Sequence, residues 1–537
     1  MNTASIAATP HAGHDGRPHL DQKPGWGTIA LFILLLAAGI GYTAYSLTRD
    51  VTETGVQTTA FLPYFLLGIA LLIALAFEFV NGFHDTANAV ATVIYTHSLA
   101  PNFAVVWSGA FNFLGVLFSS GAVAFGIISL LPVELILQVG SSAGFAMVFA
   151  LLIAAIIWNL GTWWLGLPAS SSHTLIGSII GVGIANALMH GRDGTSGVDW
   201  AQATKVGYSL LLSPLIGFGV AALLLLAMKA LVKRPELYRE PEKNAPPPLW
   251  IRGLLILTCT GVSFAHGSND GQKGMGLIML ILVGTVPTAY ALNRAMPASE
   301  MPRFVAVAQV TEQSLLKASN NAPAPADPRA VLSQYVRTQQ LNDNVLPATA
   351  ALVGDIGEQV KQYGTLAQVP SSAAKNVRND MYLTSESLRW LDKSTLKLDA
   401  DTKRNVTEFK KEIDNSTKFI PVWVKVAVAI ALGLGTMVGW KRIVRTVGEK
   451  IGKTHLTYAQ GASAELVAMA TIGAADMYGL PVSTTHVLSS GVAGTMAANR
   501  SGLQMTTIRN LALAWVLTLP IAILLSGGLY WLFTQIF

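Results

Sequence analysis

Long apolar runs alternate with short polar breaks along most of this chain. Nine runs approach or exceed the ~20 apolar residues that carry a helix across a bilayer: 27–46, 61–80, 103–131, 145–165, 206–231, 249–265, 275–291, 420–439 and 503–537. The pattern predicts an all-α polytopic membrane protein. Residues 292–419 depart from it, being polar with prolines and charges throughout. They are expected to form a helical extramembrane insertion, with helical patterns at 384–398 and 402–413. Residues 1–26 read as a disordered tail, because His11, His14 and His19 sit among small polar residues and lack the setting of a metal site. The run 27–46 is too long for a signal-peptide core and has no clear cleavage site, so a retained extra helix is expected.

The polar breaks themselves recur. Residues 166–174 read GLPASSSHT and residues 479–487 read GLPVSTTHV; upstream of them lie NGFHDTANA at 81–89 and AHGSNDGQKG at 265–274. An ordered pair of motifs present twice is an internal repeat. Asp85 precedes Ser170 by 85 positions and Asp270 precedes Ser483 by 213, and the excess of 128 is the length of the polar stretch. The expected organisation is therefore an extra helix and loop at 27–60, a first repeat at 61–231, a basic linker at 232–248, and a second repeat at 249–291 and 420–537. The insertion 292–419 divides the second repeat.

Basic residues set the orientation. Lys229, Lys233, Arg234, Arg239 and Lys243 cluster in one connection, and Lys441, Arg442, Arg445, Lys450 and Lys453 in another. The positive-inside bias puts both in the cytoplasm, so residues 249–291 must cross an odd number of times. The simplest solution is one long helix interrupted at 267–271, which places the insertion in the periplasm and the N-terminus in the cytoplasm. Two full spans there would instead leave one basic loop outside. The two repeats then face opposite ways, the inverted plan of many secondary transporters, with broken helices and Pro–Ser/Thr helix tips.

Composition agrees: of 537 residues 52% are hydrophobic and 12% charged, against about 25% charged in a soluble domain. The net charge of +6 sits largely in loops and reports orientation, so no nucleic-acid partner follows from it. The single Cys259 excludes a disulfide framework and a thiolate metal site.

Ionisable residues at membrane depth are costly and usually face a partner or an aqueous cavity. His84, Asp85 and Asn88 form one such set, and Asn269, Asp270 and Lys273 the other. Carboxylates beside glycine can ligate a small cation or take a proton, although an Asp–Lys or Asp–His pair can also be purely structural. Ser170, Ser171, Ser172 and Thr174, and likewise Ser483, Thr484 and Thr485, follow a helix-breaking proline. Such hydroxyls either cap the next helix or, with its amide donors and positive dipole end, hold an anion. Two tips of this kind would suit a tetrahedral oxyanion. His173 and His486 could titrate, contact the anion or bond a carbonyl. Glu78, Glu465 and Asp476 are further carboxylates at depth, with Glu465 the better coupling-ion candidate.

With these motifs in place the chain resembles the inorganic phosphate transporter family, most closely its bacterial low-affinity phosphate permeases, from about residue 61 to 537. The duplicated signature is similar to 82–89 (GFHDTANA) and 267–274 (GSNDGQKG), and the Pro–hydroxyl–His tips to 168–173 and 481–486. The resemblance implies a secondary carrier of the bacterial inner membrane that imports phosphate with a cation and needs no resident cofactor. It implies phosphate at Ser170–Ser172 and Ser483–Thr485, and a coupling ion or metal at Asp85, Asn88, Asp270 and Glu465. The residues themselves add Thr174 and Lys273 to the phosphate donors and Asn269 to the ion site. His84 and Lys273 depart from the signature, which has Asn at the first position and often at the second. His84, His173 and His486 are ligands or structural. Asn112 stands where sodium-coupled members carry a glutamate, which favours H+ over Na+, and bacterial members are associated with carriage of a divalent-metal–phosphate complex, such as that of Mg2+. Arsenate shares the shape and charge of phosphate, whereas sulfate lacks the ionisable proton that buried Asp acceptors would read. A homo-oligomer is compatible with the sequence. An intramembrane metal-dependent hydrolase is the rival class, but no HExxH-like spacing occurs.

Overall fold

The computed structural model describes residues 18, 20–21, 25–54, 61–85, 87–131, 141–241, 245–394 and 396–536; the side chains of Ala87 and Asn88 also lie outside what is described. Most of the expected N-terminal tail, including His11, His14 and His19, falls outside these residues. The described chain is all-helical, and eight of its helices are long and apolar enough to cross a bilayer, counting 61–95 as one.

An added helix, α1 (Trp26–Glu53), precedes the first half of the bundle: α2 (Phe61–Asp85), α3 (Ala87–Tyr95), α4 (Pro101–Phe118), α5 (Ala122–Ile128), α6 (Ser142–Trp164), α7 (Ser171–Met189) and α8 (Trp200–Leu231). The second half begins with α9 (Leu249–Thr285), leaves for α10 (Met301–Ala318), α11 (Pro328–Thr338), α12 (Val345–Tyr363), α13 (Ser371–Lys393) and α14 (Ala400–Thr417), and resumes with α15 (Val422–Gly435), α16 (Tyr458–Met477), α17 (Thr484–Ala498) and α18 (Met505–Phe533). The apolar run 103–131 divides into α4 and α5 at Gly121, whose φ of +88° suits glycine.

The interruption expected at 267–271 is absent, because α9 is one continuous helix of 37 residues. Its glycines serve close packing instead. A Cβ at Gly267 would overlap the Asn112 backbone, and one at Gly271 or Gly274 would overlap Val116 or Glu78. α9 thus lies directly against α4 and α2.

The two Gly-Leu-Pro stretches do break the chain, and by the same local chemistry. Gly166 and Gly479 have φ of +69° and +63°, and each ends its helix in a Schellman motif. Leu167 N–H donates to Thr162 C=O and Leu480 N–H to Ala475 C=O, both at 2.9 Å. Proline then prevents continuation, and a serine starts the next helix: Ser170 accepts the His173 N–H at 3.2 Å and Ser483 the His486 N–H at 3.1 Å.

Packing contacts pair across the halves. α2 packs on α6 and α15 as α9 packs on α16 and α4, and α7 packs on α18 as α17 packs on α8. Glycines permit the last two contacts: Gly181 meets the Ile523 carbonyl of α18, and Gly217 of α8 meets the Val487 carbonyl of α17. Pro214 and Pro520 lie inside α8 and α18.

Buried apolar side chains of the bundle form two clusters. Leu67–Phe77 of α2 and Met275–Leu282 of α9 contribute to one, while α3 and Ile251–Ala265 of α9 contribute to the other. The intervening parts of α2 and α9 carry buried polar side chains, Glu78, Asn81, His84 and Asp85 on the one and His266, Asn269, Asp270 and Lys273 on the other. They fall between two apolar layers. The segment α10–α14 has a core of its own around Phe304 and Phe409. It is tied to the bundle by the Arg389–Asp199 ion pair at 2.9 Å.

Candidate functional site

Both motif types meet at mid-bundle. α2 carries Asp85 as its last described residue, α9 carries Asp270 on the polar stretch between its apolar ends, and the two helix tips approach head to head. Ser171 Oγ donates to Asp85 Oδ2 at 2.7 Å, and Thr485 Oγ1 donates to Asp85 Oδ1 at 2.5 Å. One carboxylate is therefore gripped by a hydroxyl from each tip. Ser171 Oγ also lies 3.5 Å from Asp270 Oδ2, which links the two aspartates.

Lys273, fully buried, donates to Asp270 Oδ2 at 2.8 Å one helical turn away and reaches Ser171 Oγ at 3.4 Å. His84 Nδ1 is 3.1 Å from Asp85 Oδ1, and its Nε2 is 3.0 Å from Thr162 Oγ1, which fixes the ring. His266, not singled out from the sequence, sits 3.3 Å from Asp270 Oδ2 through Nε2 and 2.9 Å from Asn112 Oδ1 through Nδ1. Ligand atoms of Asp85, His266 and Asp270 lie within 4.8 Å of one another. Oxygen and imidazole donors at that spacing can hold a divalent cation, and Asp270 Oδ1 has no hydrogen-bond partner among the described residues.

The remaining candidates divide by role. Ser170 and Ser483 are helix caps, Ser172 Oγ donates to the Val482 carbonyl at 2.8 Å, and Thr174 Oγ1 donates to Asn159 Oδ1 at 3.0 Å. These bonds hold the tips in shape. Asn269 does similar work, donating from Nδ2 to the Leu480 carbonyl at 3.1 Å. Thr484 is buried with no partner for its hydroxyl among the described residues. His173 and His486 lie 4.6 Å apart between ring centroids, tilted by 37°, and Trp515 stacks on His486 at 4.2 Å. Glu465 pairs with the Thr258 hydroxyl, and Glu78 Oε2 accepts from Asn81 at 3.3 Å. The Asn88 side chain lies outside the described residues.

Buried carboxylates, an ammonium and tip hydroxyls enclosed in a multi-pass helical bundle define a membrane carrier for a small ion. The chain matches the Phosphate transporter family over residues 81–526. It is 44% identical over 490 residues to the low-affinity inorganic phosphate transporter PitA of Escherichia coli (strain K12), covering 87% of this chain and 97% of that one. It is 28% identical over 470 residues to a probable low-affinity inorganic phosphate transporter of Bacillus subtilis (strain 168), covering 87% and 97%. A solved structure described as the sodium-dependent phosphate transporter is similar at a TM-score of 0.48 and 19% identity, over 88% of this chain and 100% of that one. The chain belongs to the phosphate transporter family, and its role is transport rather than catalysis.

Proposed function

We propose that this protein imports inorganic phosphate across a bacterial inner membrane by cation symport, with H+ as the coupling ion and the anion carried with a divalent cation such as Mg2+. The observation that carries this reading is the grip of Ser171 and Thr485, one from each tip, on the Asp85 carboxylate. Those hydroxyls, Lys273 and the N-termini of α7 and α17 are the donors a tetrahedral oxyanion needs. A phosphate arriving there meets two buried carboxylates. Repulsion at low dielectric is severe, so the anion enters only with positive charge, either a proton on an aspartate or a metal between Asp85, His266 and Asp270. Coupling follows from that requirement.

Asn112 supports H+ over Na+, because it offers His266 a neutral amide where a glutamate would add a hard anionic ligand. Arsenate fits the same donors. The paired packing of the halves supports two repeats of opposite orientation that rock about the shared site, with the N-terminus cytoplasmic and residues 292–419 periplasmic. In proteoliposomes free of sodium, an inward pH gradient should drive phosphate accumulation, and magnesium should increase it. Uptake that requires sodium would replace the proton as coupling ion, and no phosphate uptake under either gradient would overturn the function.

A further inference from the structure

Beneath the insertion, a cavity of about 60 Å³ lies where α13 faces α5 and α9. Phe125, Met279, Leu280 and Val283 form its apolar side, and Arg378, on α13, shares the polar side with Lys418, Glu386, Ser129 and Thr417. A larger cavity of about 360 Å³, lined by Arg337 and Arg389, shares Ser129, Tyr382 and Glu386 with it and opens between the insertion and the bundle.

The arginines differ in their partners. Arg389 is held by Asp199 at 2.9 Å and by Glu386 at 2.5 Å, so its charge is balanced. Arg378 has no carboxylate partner among the described residues. Its guanidinium lies 4.8 Å from the Tyr382 ring centroid, and its only hydrogen bond there is a 3.4 Å contact to Asn379 Oδ1. The side chain is half-buried, and that burial lowers its pKa from the ordinary value. A guanidinium carries five donors in a planar fork that matches phosphate oxygens. Lys375, beside Arg378 in a small adjoining pocket, adds a second positive charge.

We infer that Arg378 is the anchor of a second binding site, one for a phosphate group, at the junction of the insertion and the bundle. This rests on the transport function proposed above. Met279 is nine residues past Asp270 on the continuous α9, about 14 Å along the helix axis. A phosphate captured at Arg378 stands on the insertion's side of the apolar layer Met275–Leu282, and the insertion concentrates the anion beside the carrier. A phospholipid headgroup presents the same chemistry at a membrane boundary.

Uptake kinetics of Arg378→Gln and Arg378→Lys, with Arg303→Gln as an exposed control on the same insertion, separate these sources when co-purifying phospholipid is assayed alongside. For free phosphate, Arg378→Gln raises the half-saturating concentration about tenfold, the loss of one charge-assisted contact, with the maximal rate retained. Arg378→Lys then falls between, and it carries the test if the Gln variant does not reach the membrane. Unchanged kinetics with loss of a co-purifying phospholipid assigns the site to a headgroup. Unchanged kinetics and unchanged lipid, in a wild type that transports, overturn the inference alone. A wild type that takes up no phosphate contradicts the function and this inference with it.

Discussion

Lys273 and Asp270 are each fully buried and paired at 2.8 Å. Removing one partner of such a pair strands the other charge, at a cost of about 3–5 kcal/mol. Asp270→Asn should therefore abolish phosphate uptake and also lower thermal stability, while the double variant Asp270→Asn/Lys273→Met should recover stability without recovering transport. Thermal unfolding in detergent and uptake in proteoliposomes check the two halves of this prediction; uptake by the double variant would remove both residues from the transport site. The aspartates and the tip hydroxyls were legible in the sequence because they occur twice, in order, in a chain that otherwise avoids polar groups. His266 was not. Its contact to Asp270 depends on an unbroken helical turn across 267–271, where glycines suggest a break, and its contact to Asn112 crosses between helices. The clue available was the i, i+4 spacing of His266 and Asp270 within one apolar run.

At the level of elements, the glycines fall into two physical classes. Gly166 and Gly479 adopt positive φ, and a Cβ at Gly166 would meet nothing nearer than 3.7 Å. Gly166→Ala should thus cost only the left-handed conformational penalty, about 1–2 kcal/mol. Gly181 has ordinary helical geometry but no room, since a Cβ would overlap Ile523 and Ser526 of α18. Gly181→Val should force α7 away from α18 and cost more than Gly166→Ala, read as a larger drop in unfolding temperature; equal drops would contradict the close-approach explanation. The same distinction explains where sequence reading of the elements stops. A Gly-Leu-Pro-x-Ser string carries its own stop and start signals, and both breaks occur where it places them. The glycines of α9 look equally disruptive in isolation, and only the proximity of α4 and α2 reveals them as packing positions.

Taken whole, the molecule consists of two apolar layers with buried polar side chains between them and a separately cored insertion. Its orientation is open to labelling, because the single native cysteine, Cys259, is buried. Lys361→Cys on the insertion should react with an impermeant maleimide in intact cells, and Lys233→Cys only after permeabilisation; the reverse pattern would contradict the orientation proposed here. The central claim is that both tips serve one phosphate. Equilibrium binding of radiolabelled phosphate to the purified protein tests it most directly, using Ser171→Ala, Thr485→Ala and the double variant. Each single change should weaken binding about tenfold, the loss of one charge-assisted hydrogen bond, and the double change should weaken it further. Binding unaltered by either substitution would contradict a site shared between the tips.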